Sequence, residues 1–336
     1  MTAFSRNRQT AEFFLLTAAA LLPALAWIYV PPLSVVAAFI IPVPLAVLVR
    51  RLDLRYALGA ILIVTAILSV ITGRPYLALL VAMETGPLGL LLGLLFKNHV
   101  PPGRSLIATA AFSQLVAGGM LLTGYLLTGA NPFVLNERQK YIFDQERLLL
   151  HQVFGQAGPA GGLDPATLKE LEMVIARVEA MWPLIAVSTV LIWFMVSACA
   201  SYWLTRLTMA RYGYQVPPAI PFTRWRLPWY VIWGAIAGLA FMLAGDQWHV
   251  GGLAVAGQAV LWVMGFVFSV IGISVCGFYL KRWKGAWPFK LLGVIILVIY
   301  LPLTMAMLVT VGITDAVLNI RRLTPGGRTP EEEGKK

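Results

Sequence analysis

Apolar runs long enough to cross a bilayer recur along nearly the whole chain, at residues 13–30, 33–49, 56–72, 77–96, 105–129, 181–205, 228–245, 251–280 and 291–313. A helix rises about 1.5 Å per residue and a hydrocarbon core is about 30 Å thick, so about 17 to 25 apolar residues suffice for one crossing. The pattern predicts an all-α, polytopic helical membrane protein with eight or nine spans. The second and third runs lie at the lower limit, and Pro42 and Pro44 predict that the second is bent or incomplete. The eighth is long enough to tilt strongly.

One long stretch, 130–180, is too polar to span. Its spacing predicts two amphipathic helices joined by a turn at Gly155–Gly162, with Asp164 and Pro165 as N-cap and first residue of the second helix. Tyr141, Ile142, Leu148, Leu149 and Val153 form one stripe, and Leu168, Leu171, Ile175 and Val178 the other. Two placements fit: a cap over the external mouth, or a hairpin resting on the membrane surface or on neighbouring helices. The expected organisation is a membrane bundle of about five helices at 1–129, this hairpin at 130–180, a second bundle of three to four helices at 181–320, and a polar tail at 321–336.

Composition agrees, since 59% of residues are hydrophobic and 12% charged, whereas soluble domains carry about 25% charged residues. A net charge of +11 would suggest nucleic acid in a soluble protein, but here the bases cluster between apolar runs, and no nucleic-acid partner is expected. Arg6, Arg8, Arg50, Arg51, Arg55, Lys97, Arg104, Arg206, Arg211, Arg224, Arg226, Lys281, Arg282, Lys284 and Lys290 occupy alternate connections, while the opposite short connections hold only Arg74. The positive-inside rule then predicts a multi-pass protein of the cytoplasmic membrane with its N-terminus in the cytoplasm. The first 30 residues imitate a signal peptide, with Ala24-Leu25-Ala26 as a cleavage-like sequence, but Pro23 and the spans that follow favour a retained first helix. One conflict remains: nine full spans would leave Arg321, Arg322, Arg328, Lys335 and Lys336 outside.

Chemistry is concentrated in few places. Glu84 lies near the middle of the uncharged run Leu77 to Phe96, and a carboxylate at bilayer depth costs about 2.5 to 3.5 kcal/mol on insertion scales. Such an acid marks a solute or ion site, or is satisfied by a neighbouring helix, for which Ser113 and Gln114 are the candidates. Gly86 and Pro87 beside it predict a helix interrupted in mid-membrane, because Pro87 cannot donate to the Met83 carbonyl. The candidate site is therefore Glu84, Gly86, Pro87 and Gln114. Small residues four apart, Ala20 with Ala24, Gly89 with Gly93 and Gly234 with Gly238, allow close packing or docking of helices. Arg206 to Trp229, with four Arg and four Pro, reads as an interfacial segment in which Arg206, Arg211, Arg224 and Arg226 contact lipid headgroups. Asp246 to His249 reads as a wet external turn. Cys199 and Cys276 make neither a disulfide framework nor a metal set, and no catalytic, nucleotide or zinc motif is present. Neither enzymatic activity nor a cofactor or metal is expected.

The stretch Phe222-Thr223-Arg224-Trp225-Arg226-Leu227-Pro228-Trp229, with Gly312-Ile313-Thr314-Asp315 followed by Arg321 and Arg322, resembles the YybS-like family of bacterial multispanning membrane proteins. That resemblance covers most of the chain in hydropathy order and implies a fold and a bacterial origin, with no activity attached. The N-terminal half also resembles, more faintly, the substrate-binding subunits of energy-coupling-factor vitamin transporters. In those proteins small residues on the first helix dock onto partners, and Ala20 and Ala24 would take that position. Those subunits have fewer helices and no such hairpin. The expected function is small-solute binding or transport, with separate ATPase subunits or another membrane protein as possible partners. The alternative is a scaffold or regulator of an envelope assembly.

Overall fold

The computed structural model describes residues 3–154, 165–216, 218, 220–282, 295 and 299–323. Among these, every regular element is helical: α1 (Ala3–Tyr29), α2 (Pro31–Ile40), α3 (Pro42–Arg51), α4 (Leu54–Thr72), α5 (Pro75–Lys97), α6 (Pro102–Thr128), α7 (Glu137–Phe154), α8 (Pro165–Arg211), α9 (Ile232–Gln247), α10 (Gly251–Arg282) and α11 (Leu301–Leu318). Single 3-10 turns at Phe222–Arg224 and Trp229–Val231 mark the connection between α8 and α9. Among the described residues nine stretches are long and apolar enough to cross a membrane, and α2 with α3 form one of them, Pro31–Arg51. The second run is thus bent at Ile41 and still long enough. Pro42 opens α3 at the position where a missing N–H costs least.

Glycine decides how closely the helices approach. A Cβ on Gly89 would stand 2.7 Å from Leu45 Cβ, and Gly93 meets Val49 in the same way, so α5 lies directly on α3. Gly234, Gly238 and Gly245 of α9 face Met264, Val260 and Ala254 of α10, an antiparallel crossing. Ala20 and Ala24 of α1 are fully buried with Leu16, Leu48 and Ala60 in the main apolar core. All six small residues singled out from the sequence therefore pack inside this chain, and Ala20 and Ala24 present no free docking face.

One end of the bundle collects the bases. Arg51 pairs with Glu12 and Lys97 with Asp53, Arg50 donates to the Lys97 carbonyl, and Arg50 and Arg51 lie over the rings of Tyr214 and Tyr212. The Lys97 ammonium holds the exposed Asp53 carboxyl below its ordinary range, but a pair this wet contributes little stability. At the same end Trp203 of α8 stacks on Trp225. The opposite end holds the α4–α5 turn at Gly73, the α9–α10 turn at His249, and α7.

α10 and α11 run parallel. Gly272 packs on the backbone of Leu308, and Gly312 packs on the Phe268 carbonyl and the Gly272 nitrogen, each against the residue four positions before its counterpart. Their C-terminal ends are joined by Arg321 and Ser274, 2.8 Å apart. Arg282 and Tyr300 therefore lie at opposite ends, and Arg321 and Arg322 fall at the basic end with Arg224 and Arg226. Arg328, Lys335 and Lys336, the other tail bases, lie outside the described residues. The last described span, α11, begins at Leu301 with Pro302 in its first turn, and most of 291–300, the start of the run expected at 291–313, lies outside the described residues.

The largest departure is α8. Its 47 residues form one continuous helix, about 70 Å long against about 30 Å of hydrocarbon. No break separates the expected hairpin at 180 from the span that follows it. α7 runs antiparallel along the projecting part, with Phe143 edge-on to Trp182, Arg147 paired with Glu179, and His151 2.7 Å from Glu172. The hairpin thus continues the α8 axis away from the membrane. The stripe expected to bury α7 is turned outward, with Tyr141, Leu148, Leu149 and Val153 exposed. Phe143 and Arg147 face α8 instead, because one aromatic contact, one ion pair and the His151–Glu172 contact fix the helix's rotation. The expected turn at Gly155–Gly162 and the Asp164 cap lie outside the described residues.

Gly312→Ala should lower the melting temperature in detergent, by about 1–3 kcal/mol of overpacking against the Phe268 carbonyl. Gly118→Ala, with nothing within 4 Å of the added carbon, should be neutral or slightly stabilising. Equal effects of the two substitutions would contradict the close α10–α11 contact.

Candidate functional site

α5 carries Glu84 through the middle of the bundle. The helix runs unbroken from Pro75 to Lys97, so the expected interruption at Gly86-Pro87 is corrected. Proline's fixed φ is itself helical, and Pro87 removes one bond to the Met83 carbonyl without unwinding the turn. Gly86 points away from the acid, toward Ile61 of α4, where an added Cβ would stand 3.3 Å from that side chain. Glycine serves there as a spacer between helices.

Glu84 is 8% exposed. Its Oε1 accepts a hydrogen bond from Trp193 Nε1 of α8 at 3.0 Å, and the Trp193 ring packs at a tilt on Phe39 of α2, 5.6 Å between centroids. Among the described residues no Lys, Arg or His forms an ion pair with it. The neighbours expected to satisfy Glu84 look elsewhere: Ser113 donates to the Ala110 carbonyl, and Gln114 donates to the Leu191 carbonyl at 3.1 Å. Glu84 and Gln114 nonetheless converge on one turn of α8, Leu191 to Trp193, from two different helices. A carboxyl group offers about four lone-pair sites. The indole occupies one, and the rest can meet a proton, a cation or the donor of a polar solute. Trp193 escaped the sequence reading, although a Trp at the centre of a run, rather than at its interfacial ends, signals an N–H that needs an acceptor.

The arginines expected at lipid headgroups divide. Arg211 is exposed, whereas Arg206, Arg224 and Arg226 are half-buried. Arg206 sits 5.6 Å over the Trp203 ring, and Arg226 donates to the Leu323 carbonyl at 3.0 Å. His249, in the α9–α10 turn, contacts the Asp246 carbonyl through Nδ1 at 3.0 Å.

A second buried acid was read from sequence only as part of a motif. Asp315, in the last turn of α11, is fully buried and accepts two bonds from the Arg321 guanidinium, Nη2 to Oδ2 at 2.7 Å and Nε to Oδ1 at 3.2 Å, and a third from the Arg321 backbone N–H to Oδ1 at 3.4 Å. Asn319 makes this possible. It ends α11 in the left-handed conformation, which Asn tolerates better than most residues, and its side chain holds Leu323 by two bonds. The turn brings Arg321 back over the helix end. The remaining guanidinium donors reach the Thr223 carbonyl at 2.8 Å, the Trp225 carbonyl at 2.5 Å and Ser274 Oγ at 2.8 Å, and Ser274 donates in turn to the Phe222 carbonyl. Both stretches that carried the family resemblance, Phe222 to Trp229 and Gly312 to Arg321, thus meet at one guanidinium.

A helical bundle with nine apolar crossings and two buried acids among the described residues is an integral membrane protein of the polytopic α-helical class. The chain belongs to the family described as "Predicted membrane protein (DUF2232)", whose model matches residues 18–316. It is similar to the uncharacterized protein YybS of Bacillus subtilis (strain 168), 23% identical over 296 residues, covering 88% of this chain and 91% of that relative. No solved structure matches it.

Removing one partner of the Asp315–Arg321 pair strands the other charge in the interior. Asp315→Asn or Arg321→Met should each cost about 3–5 kcal/mol in detergent melts. The double variant Asp315→Leu/Arg321→Met should recover part of that loss but not all, because the Thr223 and Trp225 carbonyls still lack a donor. Full recovery would mean that the strap carbonyls do not depend on Arg321.

Proposed function

We propose that this protein binds or moves a small solute at the cytoplasmic (inner) membrane, with Glu84 as the group that exchanges a proton, ion or solute donor. The observation that carries this reading is the Glu84 carboxyl: deep in the bundle, bonded to one neutral donor, and facing the same turn of α8 as Gln114. A purely structural acid gains more from an arginine, as Asp315 does. Any driving force comes from elsewhere, from a coupled ion at Glu84 or from separate ATPase subunits docked at the basic end. The basic end is taken as cytoplasmic, because the described Lys and Arg outside α7, the projecting part of α8 and Arg74 gather there, as the positive-inside rule requires.

Glu84→Gln keeps the Trp193 acceptor and the shape of the site, so the variant should fold, insert and melt within about 0.5 kcal/mol of the parent. Protein purified from native membranes in mild detergent should carry a stoichiometric small metabolite, identified by mass spectrometry, that the variant loses. A metabolite retained by the variant, or the same complement of small molecules from both, would overturn the reading.

A second reading, a scaffold or regulator of an envelope assembly, is supported by the outward apolar stripe of α7. This face stands off the membrane on the α8 extension, and apolar surface in water marks contact with another protein. Leu148→Glu with Leu149→Glu should leave stability unchanged, since both side chains are exposed. Under the scaffold reading the pair of substitutions releases co-purifying envelope proteins; under the transport reading it changes nothing that depends on Glu84.

A further inference from the structure

We propose that Glu84 and the carbonyl of Ala38, left without its helical donor by Pro42, form a binding site for one small monovalent metal cation. The inference rests on the reading of Glu84 as the working group and names the class of ion that the carboxyl exchanges. It starts from the bend in the second crossing. Proline has no N–H, so Pro42 and Pro44 withhold from the Ala38 and Ile40 carbonyls the donors that an unbroken helix would supply. The Ile41 N–H is spent on the Ala37 carbonyl at 3.0 Å, and the Phe39 carbonyl takes the Ser201 hydroxyl of α8 at 3.1 Å. Ala38 is fully buried, and among the described residues no bond from another element reaches its carbonyl.

Helix register brings the acid to that carbonyl. An added Cβ on Gly89 would stand 3.0 Å from the Pro42 carbonyl, and one on Gly93 would stand 2.9 Å from the Ala46 carbonyl. Four residues along α5 thus match four along α3, so the two run parallel, and one turn back places Glu84 and Thr85 level with Ala38 to Ile41. Two contacts agree: Thr85 and Ile41 line one small apolar gap, and the Glu84 carboxyl is joined to Phe39 through the Trp193 ring. Ser197, buried on α8 one turn from Trp193 and one turn from Ser201, adds a hydroxyl on the same face. Carboxyl, carbonyl and hydroxyl oxygens are the ligands that hard cations take, and carbonyls freed where membrane helices are interrupted hold the coupling ions of transporters. One acid balances one positive charge. Among the described residues no three His, Cys, Asp or Glu gather to hold a multivalent metal. A proton needs a single acceptor, whereas oxygens contributed by α2, α5 and α8 together suit a metal ion.

The test follows the melting temperature of the full-length protein in detergent as sodium chloride replaces choline chloride at constant ionic strength. In choline the parent and Glu84→Gln should melt alike, and sodium should stabilise only the parent, saturably. Pro42→Ala returns an N–H to the Ala38 carbonyl while leaving the acid in place, and should weaken the apparent sodium affinity by at least about tenfold. Pro44→Ala, which restores a donor to the carbonyl of the exposed Ile40 instead, should leave that affinity unchanged. Stoichiometric retention of radioactive sodium by the parent reads the same site without relying on stability, which keeps the test decisive if a variant does not fold. Equal melting in sodium and choline, an undiminished sodium response in Glu84→Gln, or equal losses in Pro42→Ala and Pro44→Ala would each overturn the proposal. It can fail in any of these ways while Glu84→Gln still loses the co-purified metabolite, which separates its failure from that of Glu84 as a solute site.

Discussion

The guanidinium of Arg321 is the point on which the C-terminal half depends. A charged pair taken out of water is costly, and it repays that cost only when the geometry is good and the remaining donors and lone pairs are met. Here they are: Asp315 takes two bonds, and two carbonyls of the 222–225 strap and the Ser274 hydroxyl take the rest. The consequence is architectural. Non-helical backbone near a membrane must have its polar groups satisfied by protein or water, and the strap between α8 and α9 has its carbonyls answered by a residue about 100 positions later in the chain. The fold closes there, joining the end of α11 to the end of α8.

Close packing supplies what the hydrophobic effect does not. Lipid tails are as apolar as leucine, so helices inside a bilayer associate through van der Waals contact and internal hydrogen bonds. Gly89 and Gly93 on α3, Gly238 and Gly245 on α10, and Gly272 with Gly312 between α10 and α11 let backbones touch where a methyl group would not fit. The parallel α10–α11 contact has a further role. It sets Ser274 and Asp315 at the same height, and without that register Arg321 could not reach both.

Much of this was legible in the sequence, and for a physical reason: in hydrocarbon, length and polarity nearly determine helix existence. The nine apolar crossings among the described residues and the bend at Pro42 follow from local pattern. The misreadings concern rotation and partnership, which are tertiary. Nothing in the stripe Tyr141, Ile142, Leu148, Leu149 and Val153 says that Phe143 and Arg147 will hold α7 the other way round. Pro87 suggested a broken helix, but one missing N–H is a small loss inside a packed bundle. Glu84 was visible as a charge in an apolar run, whereas its partner Trp193 is 109 residues away. Arg321, counted with the tail by position alone, is 4% exposed.

The two buried acids show how partnership separates structure from function. Asp315 meets a permanent cation and a full set of bonds, so changing it dismantles the helix end. Glu84 meets one indole N–H, with Gln114 directed at the same turn of α8 but bonded to its backbone. An evolved bundle has ways to neutralise an unwanted acid, by an arginine as at Asp315 or by an apolar residue in its place. Keeping a carboxyl with most of its hydrogen-bonding capacity unspent, at the junction of α5 and α8, makes sense when something that comes and goes completes it. That contrast, rather than burial alone, supports treating Glu84 as the working group and Asp315 as the clasp.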